Sequence, residues 1–76
     1  MNDYLLTFEF NKDLECLEIH ANANGISALI KALSVALEVK DHQHLMTPEW
    51  GGEELSSEKQ CDSNDLIHHV KIIPWE

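Results

Sequence analysis

Residues 4–10, YLLTFEF, alternate between two sides. Leu6, Phe8 and Phe10 fall on one side, and Leu5, Thr7 and Glu9 on the other, the period of a strand with a single buried face. Asn11-Lys12-Asp13 is a polar turn of hairpin length. Residues 14–20, LECLEIH, alternate again, with Leu17 and Ile19 inward and Cys16, Glu18 and His20 outward. The pattern predicts an antiparallel hairpin with one wet face.

The period then changes to that of a helix over 23–39. Ile26, Leu29, Ile30, Leu33 and Leu37 form one stripe, with Ala32 and Ala36 beside it, and this stripe is expected in the core. Ser27, Lys31, Ser34 and Glu38 make the polar side. Asn22 suits the N-cap, because its side chain can accept from an orphan N–H of the first turn. Gly25 weakens the helix slightly but is tolerable near its start, and Lys40 suits the negative end of the macrodipole. Residues 42–47, HQHLMT, read as a third strand ended by Pro48. Residues 48–65 are polar and hold two of the three glycines; they read as a long loop, or a loop with one helical turn at 56–60. Residues 66–73, LIHHVKII, form the last strand, closed by Pro74 and Trp75, the latter a core or edge plug. The expectation is a single α+β domain over 1–76: ββαββ, a four-stranded, mainly antiparallel sheet with one helix packed on one face.

At 76 residues, with 43% hydrophobic and 25% charged, the chain is globular in composition but has a small core. Two cysteines, Cys16 and Cys61, do not make a disulfide framework, and both are expected reduced. The first residues, MNDYLLTFEF, hold no basic start and no apolar run of signal-peptide or membrane length; the cytoplasm is the expected location. Fourteen acidic residues face five lysines and no arginine, for a net charge of −9. That charge repels nucleic acid and anionic membranes and steers a basic partner inward.

No nucleophile elbow, H-E-x-x-H, phosphate loop or dinucleotide fingerprint is present, and Asp62 and Asp65 blunt the thiol of Cys61. Neither catalysis nor a cofactor is expected. Five histidines raise a metal reading, in which His42 and His44 on one strand meet His68 or His69 from another; without a carboxylate or cysteine at ligand spacing it is the weaker reading. The stretch 48–65 carries Glu49, Glu53, Glu54, Glu58, Asp62 and Asp65 against Lys59 alone, a local charge of −5. Trp50 lies among them. An indole ringed by carboxylates fits a basic protein surface; the reading favoured for Trp50 itself is that it closes one end of the core while the acids solvate a loop, and the two roles are compatible.

The run Asp41-His42-Gln43-His44-Leu45-Met46-Thr47-Pro48-Glu49-Trp50-Gly51-Gly52, then Glu54-Leu55 and Glu58-Lys59-Gln60, resembles the immunity protein 32 family of bacterial polymorphic toxin systems. The tail Leu66-Ile67-His68-His69-Val70-Lys71-Ile72 and the opening Leu6-Thr7-Phe8-Glu9-Phe10 fit too, so the resemblance covers nearly the whole chain. Its most specific part is H-L-M-T-P-x-W-G-G. The resemblance implies a protein made beside a secreted or contact-delivered toxin, which it binds and neutralises in the producing cell; it implies no catalytic residues. Many such toxins are nucleases with basic clefts, in accord with the charge. The expected contact surface is Glu49, Trp50, Glu53, Glu54, Glu58 and Asp62, and the expected partner a cognate toxin with a basic surface. Two other readings stand beside it: a self-associating regulatory or structural module, as a homodimer through an open sheet edge, and a histidine-based metal-binding protein.

Overall fold

In the computed structural model, which describes residues 3–75, the chain is α+β. The elements run β1 (Leu6–Asn11), β2 (Cys16–Ala21), α1 (Ala23–Val39), β3 (Gln43–Met46), a 3-10 turn (Pro48–Trp50), β4 (Asp65–Ile67) and β5 (His69–Ile72). Two antiparallel sheets replace the single four-stranded one expected: β2-β1-β4 and β3-β5. The strand expected over 66–73 is broken at His68. Its first half pairs with β1, Phe8 opposite Ile67, and its second half with β3, Leu45 opposite Val70. The carbonyl of His68 accepts instead from the N–H of Thr47, at 3.0 Å.

The hairpin forms one to two residues later than the alternation suggested. Asn11 Oδ1 accepts from the N–H of Leu14, an Asx turn that widens the loop, and Glu15 closes it with φ of 50°. Helix α1 has the span and the N-cap expected. Asn22 Oδ1 accepts from the N–H of Gly25 at 2.9 Å and from the N–H of Leu5 at 3.1 Å, so one side chain fixes both the helix start and the entry to β1. Lys40, in the left-handed region at φ of 56°, ends the helix by donating its N–H to Ala36 O.

Leu6, Phe8, Leu45 and Leu55 form the buried centre, with Tyr4, Ala21, Leu29, Ala32, Ile67, Val70 and Ile72 packed around it. Each fully buried large side chain contributes about 1.5–3 kcal/mol, so this core alone is slight. Trp75, expected to plug the core or its edge, is 90% exposed, and two further expectations about the core are overturned. Helix α1 turns Gly25 and Ala36 inward, while Ile26, Ile30, Leu33 and Leu37 are between 50% and 77% exposed. Small residues on the inner side let the helix backbone approach the strands, and the larger neighbouring stripe is left outside. Leu17 and Ile19 share the helix-bearing side of the sheet with Phe10 and Phe8 by register, yet they are 55% and 49% exposed. β2 is an edge strand that the helix does not cover.

The far side of β1 is not wet either. Thr7 and Glu9 are fully buried, because the 56–65 segment folds over them. Thr7 Oγ1 donates to Glu9 Oε2 at 2.6 Å, as does the N–H of Gln60 at 2.8 Å. The N–H of Cys61 and Asn64 Nδ2 each donate to Oε1 at 3.2 Å. Burial by itself would raise the Glu9 pKa, but these four bonds to the ionised form outweigh it and hold the carboxyl at about 2. Glu18 stands directly opposite Glu9, a like-charge pair that would ordinarily repel. Asn64 Nδ2 also donates to Glu18 Oε1 at 3.0 Å, and His20 Nε2 lies 2.8 Å from the same oxygen. The Asn64 amide thereby bridges both carboxylates, and its own Oδ1 is buried without a partner.

Candidate functional site

The segment 47–65 is a structured scaffold. Pro48 supplies the preset φ of a first helical position, and the N–H groups of Trp50 and Gly52 both donate to Thr47 O. The helical turn expected at 56–60 lies instead at Pro48–Trp50. Gly51 closes it at φ of 88°, a left-handed conformation that a side chain would strain. Leu55 is buried in the core, and its N–H donates to Met46 O at 3.2 Å. Ser56 then continues the edge of β1: its N–H donates to Leu6 O at 2.8 Å, and its Oγ accepts from the N–H of Leu6 at 3.1 Å. The gap between the two sheets is therefore filled by this segment.

Trp50 neither closes the core nor hangs free. Its indole is 58% exposed and lies on the imidazole of His68, with ring centroids 6.1 Å apart and planes 7° from parallel. His68 Nδ1 in turn shares a 2.7 Å hydrogen bond with Thr47 Oγ1, and Thr47 is fully buried. His69 flanks the indole on a tilted plane at 6.0 Å, and its Nε2 is 2.8 Å from His44 Nδ1. His42 meets His44 edge-on at 4.9 Å. Loss of solvent, followed by the neighbouring imidazoles of His42 and His69, holds His44 below the ordinary imidazole range. Of the histidines expected to meet, His42, His44 and His69 come together, while His68 turns to Thr47. Among the described residues no group of three or more His, Cys, Asp or Glu side chains is arranged to hold a metal ion.

The acidic residues divide into two kinds. Glu54 braces the fold: its Oε1 accepts from the N–H of Met46 at 3.1 Å and of Glu53 at 3.3 Å, and its carbonyl accepts from the Tyr4 hydroxyl. Although desolvation works against it, the first of these bonds helps bring its pKa down. Glu54 is nonetheless exposed, as are Glu49, Glu53, Glu58 and Asp62. Glu49 is bonded to Ser57 Oγ at 2.9 Å; its own N–H and that hydroxyl lower its pKa. Sequence reasoning missed Thr47 and His68 as the supports of the indole, and Glu9 as the anchor of the segment's far end. The F-E-F pattern, an acid between two aromatics of which Phe8 lies in the core, was the available signal for Glu9. Cys16 and Cys61 are free thiols, and no described helix is long and apolar enough to cross a membrane.

The exposed indole, stacked on one imidazole and flanked by a second, is the most prominent aromatic feature of this segment. The chain belongs to the immunity protein 32 family, whose model matches residues 17–71, well over half of its length. Family membership makes toxin neutralisation its general role. No curated protein and no solved structure matches the chain.

Proposed function

We propose that this immunity protein neutralises a cognate bacterial toxin by binding it in the cytoplasm through the surface around Trp50, with Glu49, Glu53, Glu58 and Asp62 as charge partners. The observation that carries this reading is the indole itself: large, exposed and stacked on His68, whose imidazole is fixed by Thr47. A preset aromatic surrenders little conformational freedom on docking, which favours it as a binding anchor. The carboxylates speed encounter with a basic toxin surface, such as the substrate cleft of a nuclease, and the desolvated indole slows release. Glu54 holds two backbone N–H groups on one oxygen while staying exposed, so it supports the fold as well as bordering this surface.

The test is charge reversal at two exposed acids, Glu53→Lys with Glu58→Lys. We expect toxin binding to weaken by about tenfold or more, with a steeper loss in association rate than in dissociation rate. The melting temperature should change little, because neither side chain makes a hydrogen bond of its own. Unchanged affinity and unchanged salt dependence in the folded double variant would remove this surface from the mechanism.

A further inference from the structure

The exposed stripe of α1 is as conspicuous as the acidic segment and lies on another part of the molecule. Ile26, Ile30, Leu33 and Leu37 follow one another at intervals of four, three and four, the a/d spacing of a coiled-coil seam. The spacing reads the same in both directions. An antiparallel copy of the helix, turned about a two-fold axis between Ile30 and Leu33, sets Ile26 against Leu37 of its mate and Ile30 against Leu33. The surface is thus complementary to itself, the requirement of an isologous dimer.

Charge favours the same occupant. On a chain of net charge −9, two copies can meet only where carboxylates are scarce. Along Ala23–Val39 the only charged side chains are Lys31 and Glu38, one of each sign. The positions flanking the seam are Ser27, Leu29, Ser34 and Ala36, which neither repel a copy nor offer a charged partner a counter-ion. The apolar side of the edge strand, with Leu17, Ile19 and Phe10 exposed on the helix-bearing side of the sheet, enlarges the surface. The seven side chains together expose on the order of 700 Å² per copy, close to the roughly 800 Å² per partner of a standard interface. The helix stripe alone would fall near the weak end of that range.

We infer that a second copy of this chain covers the Ile26–Leu37 stripe, forming an antiparallel helix-to-helix dimer that leaves the Trp50 surface of each copy open. The inference does not depend on the toxin-binding reading. Sedimentation of the full chain from about 1 μM to about 1 mM should show a reversible monomer–dimer equilibrium, with the dissociation constant in the micromolar range. Ile30→Lys should weaken the dimer by at least about tenfold with an unaltered circular dichroism spectrum, since the side chain is already exposed. Ile26→Glu and Leu37→Lys tested separately should each weaken self-association, and the two variants mixed should recover a heterodimer, because antiparallel pairing places the new charges together. A wild-type chain that stays monomeric throughout would overturn the inference. So would a dimer indifferent to Ile30→Lys, a mixture without recovery, or a stripe that becomes covered only when toxin is added.

Discussion

Glu9→Gln is expected to destabilise the chain by about 3 kcal/mol or more, and to release the 56–65 segment from β1. The carboxylate accepts four hydrogen bonds in a fully buried position. Glutamine keeps the shape but turns one acceptor into an NH2 group. Whichever way the amide lies, it faces donors with a donor. Each buried donor left unsatisfied costs about 1–3 kcal/mol, and breaking a charged buried network costs more. A domain with so small a core has a total stability near the low end of about 5–15 kcal/mol. The loss is therefore a large fraction of what holds the fold. Urea unfolding and limited proteolysis, with cleavage sought between 56 and 65, would register it.

The same carboxylate makes the largest contribution to the protein's acid sensitivity, alongside the lowered carboxyls of Glu18, Glu49 and Glu54. Its folded pKa is about 2, against an ordinary 4.5. Between those values the unfolded chain takes up a proton that the folded chain refuses, so stability rises with pH across the window. The contribution is complete above about pH 4.5 and is lost as the pH falls toward 2. Unfolding midpoints should drop through that window in the wild type and lose most of this slope in Glu9→Gln.

Gly25→Ala should also destabilise by about 3 kcal/mol, against the direction that helix propensity gives. In a helix interior alanine is favoured over glycine by about 1 kcal/mol. Here a Cβ would stand 1.8 Å from Leu5 O and 2.8 Å from the Leu5 carbonyl carbon. The obstacle is backbone, which cannot swing aside as a flexible side chain would. To admit the methyl group the helix start must move off β1, loosening the shared hold of Asn22 on Leu5 and Gly25. A thermal melt of the single variant decides the sign: a raised melting temperature would mean that the helix start tolerates displacement.

These two residues mark where sequence reading stopped. The helix span and its Asn22 cap were legible, because capping and period are properties of neighbouring residues. Which side of the helix is buried was not. The rule that large apolar residues face inward chose Ile26, Leu29, Ile30, Leu33 and Leu37; of these only Leu29 packs on the core, beside Ala32, while close approach of backbone turns Gly25 and Ala36 inward. Period alone cannot separate two adjacent apolar sides of one helix. Alternation along β1 correctly assigned Leu6 and Phe8 but could not show that Thr7 and Glu9 are covered too. Their cover comes from residues more than fifty positions away, through hydrogen bonds that leave no periodic trace. The break at His68 had the same origin: strand pairing on two sides, by β1 and then by β3, divides a continuous apolar run. In the acidic segment the composition singled out Trp50 and its carboxylates, and the structure leaves the indole exposed instead of closing the core. What composition missed was the division of labour, in which Glu54 also braces the backbone and Thr47 and His68 support the ring.

The proposed toxin surface is polar and aromatic, and the surface inferred to meet a second copy is apolar, so the two readings assign separate faces to separate partners. Hydrogen–deuterium exchange of the protein with and without its cognate toxin tests that division most directly. The expected result is new protection over 47–62, with exchange across 26–37 unchanged by the toxin. Protection gained along the helix stripe while the Trp50 segment exchanges as before would contradict the account.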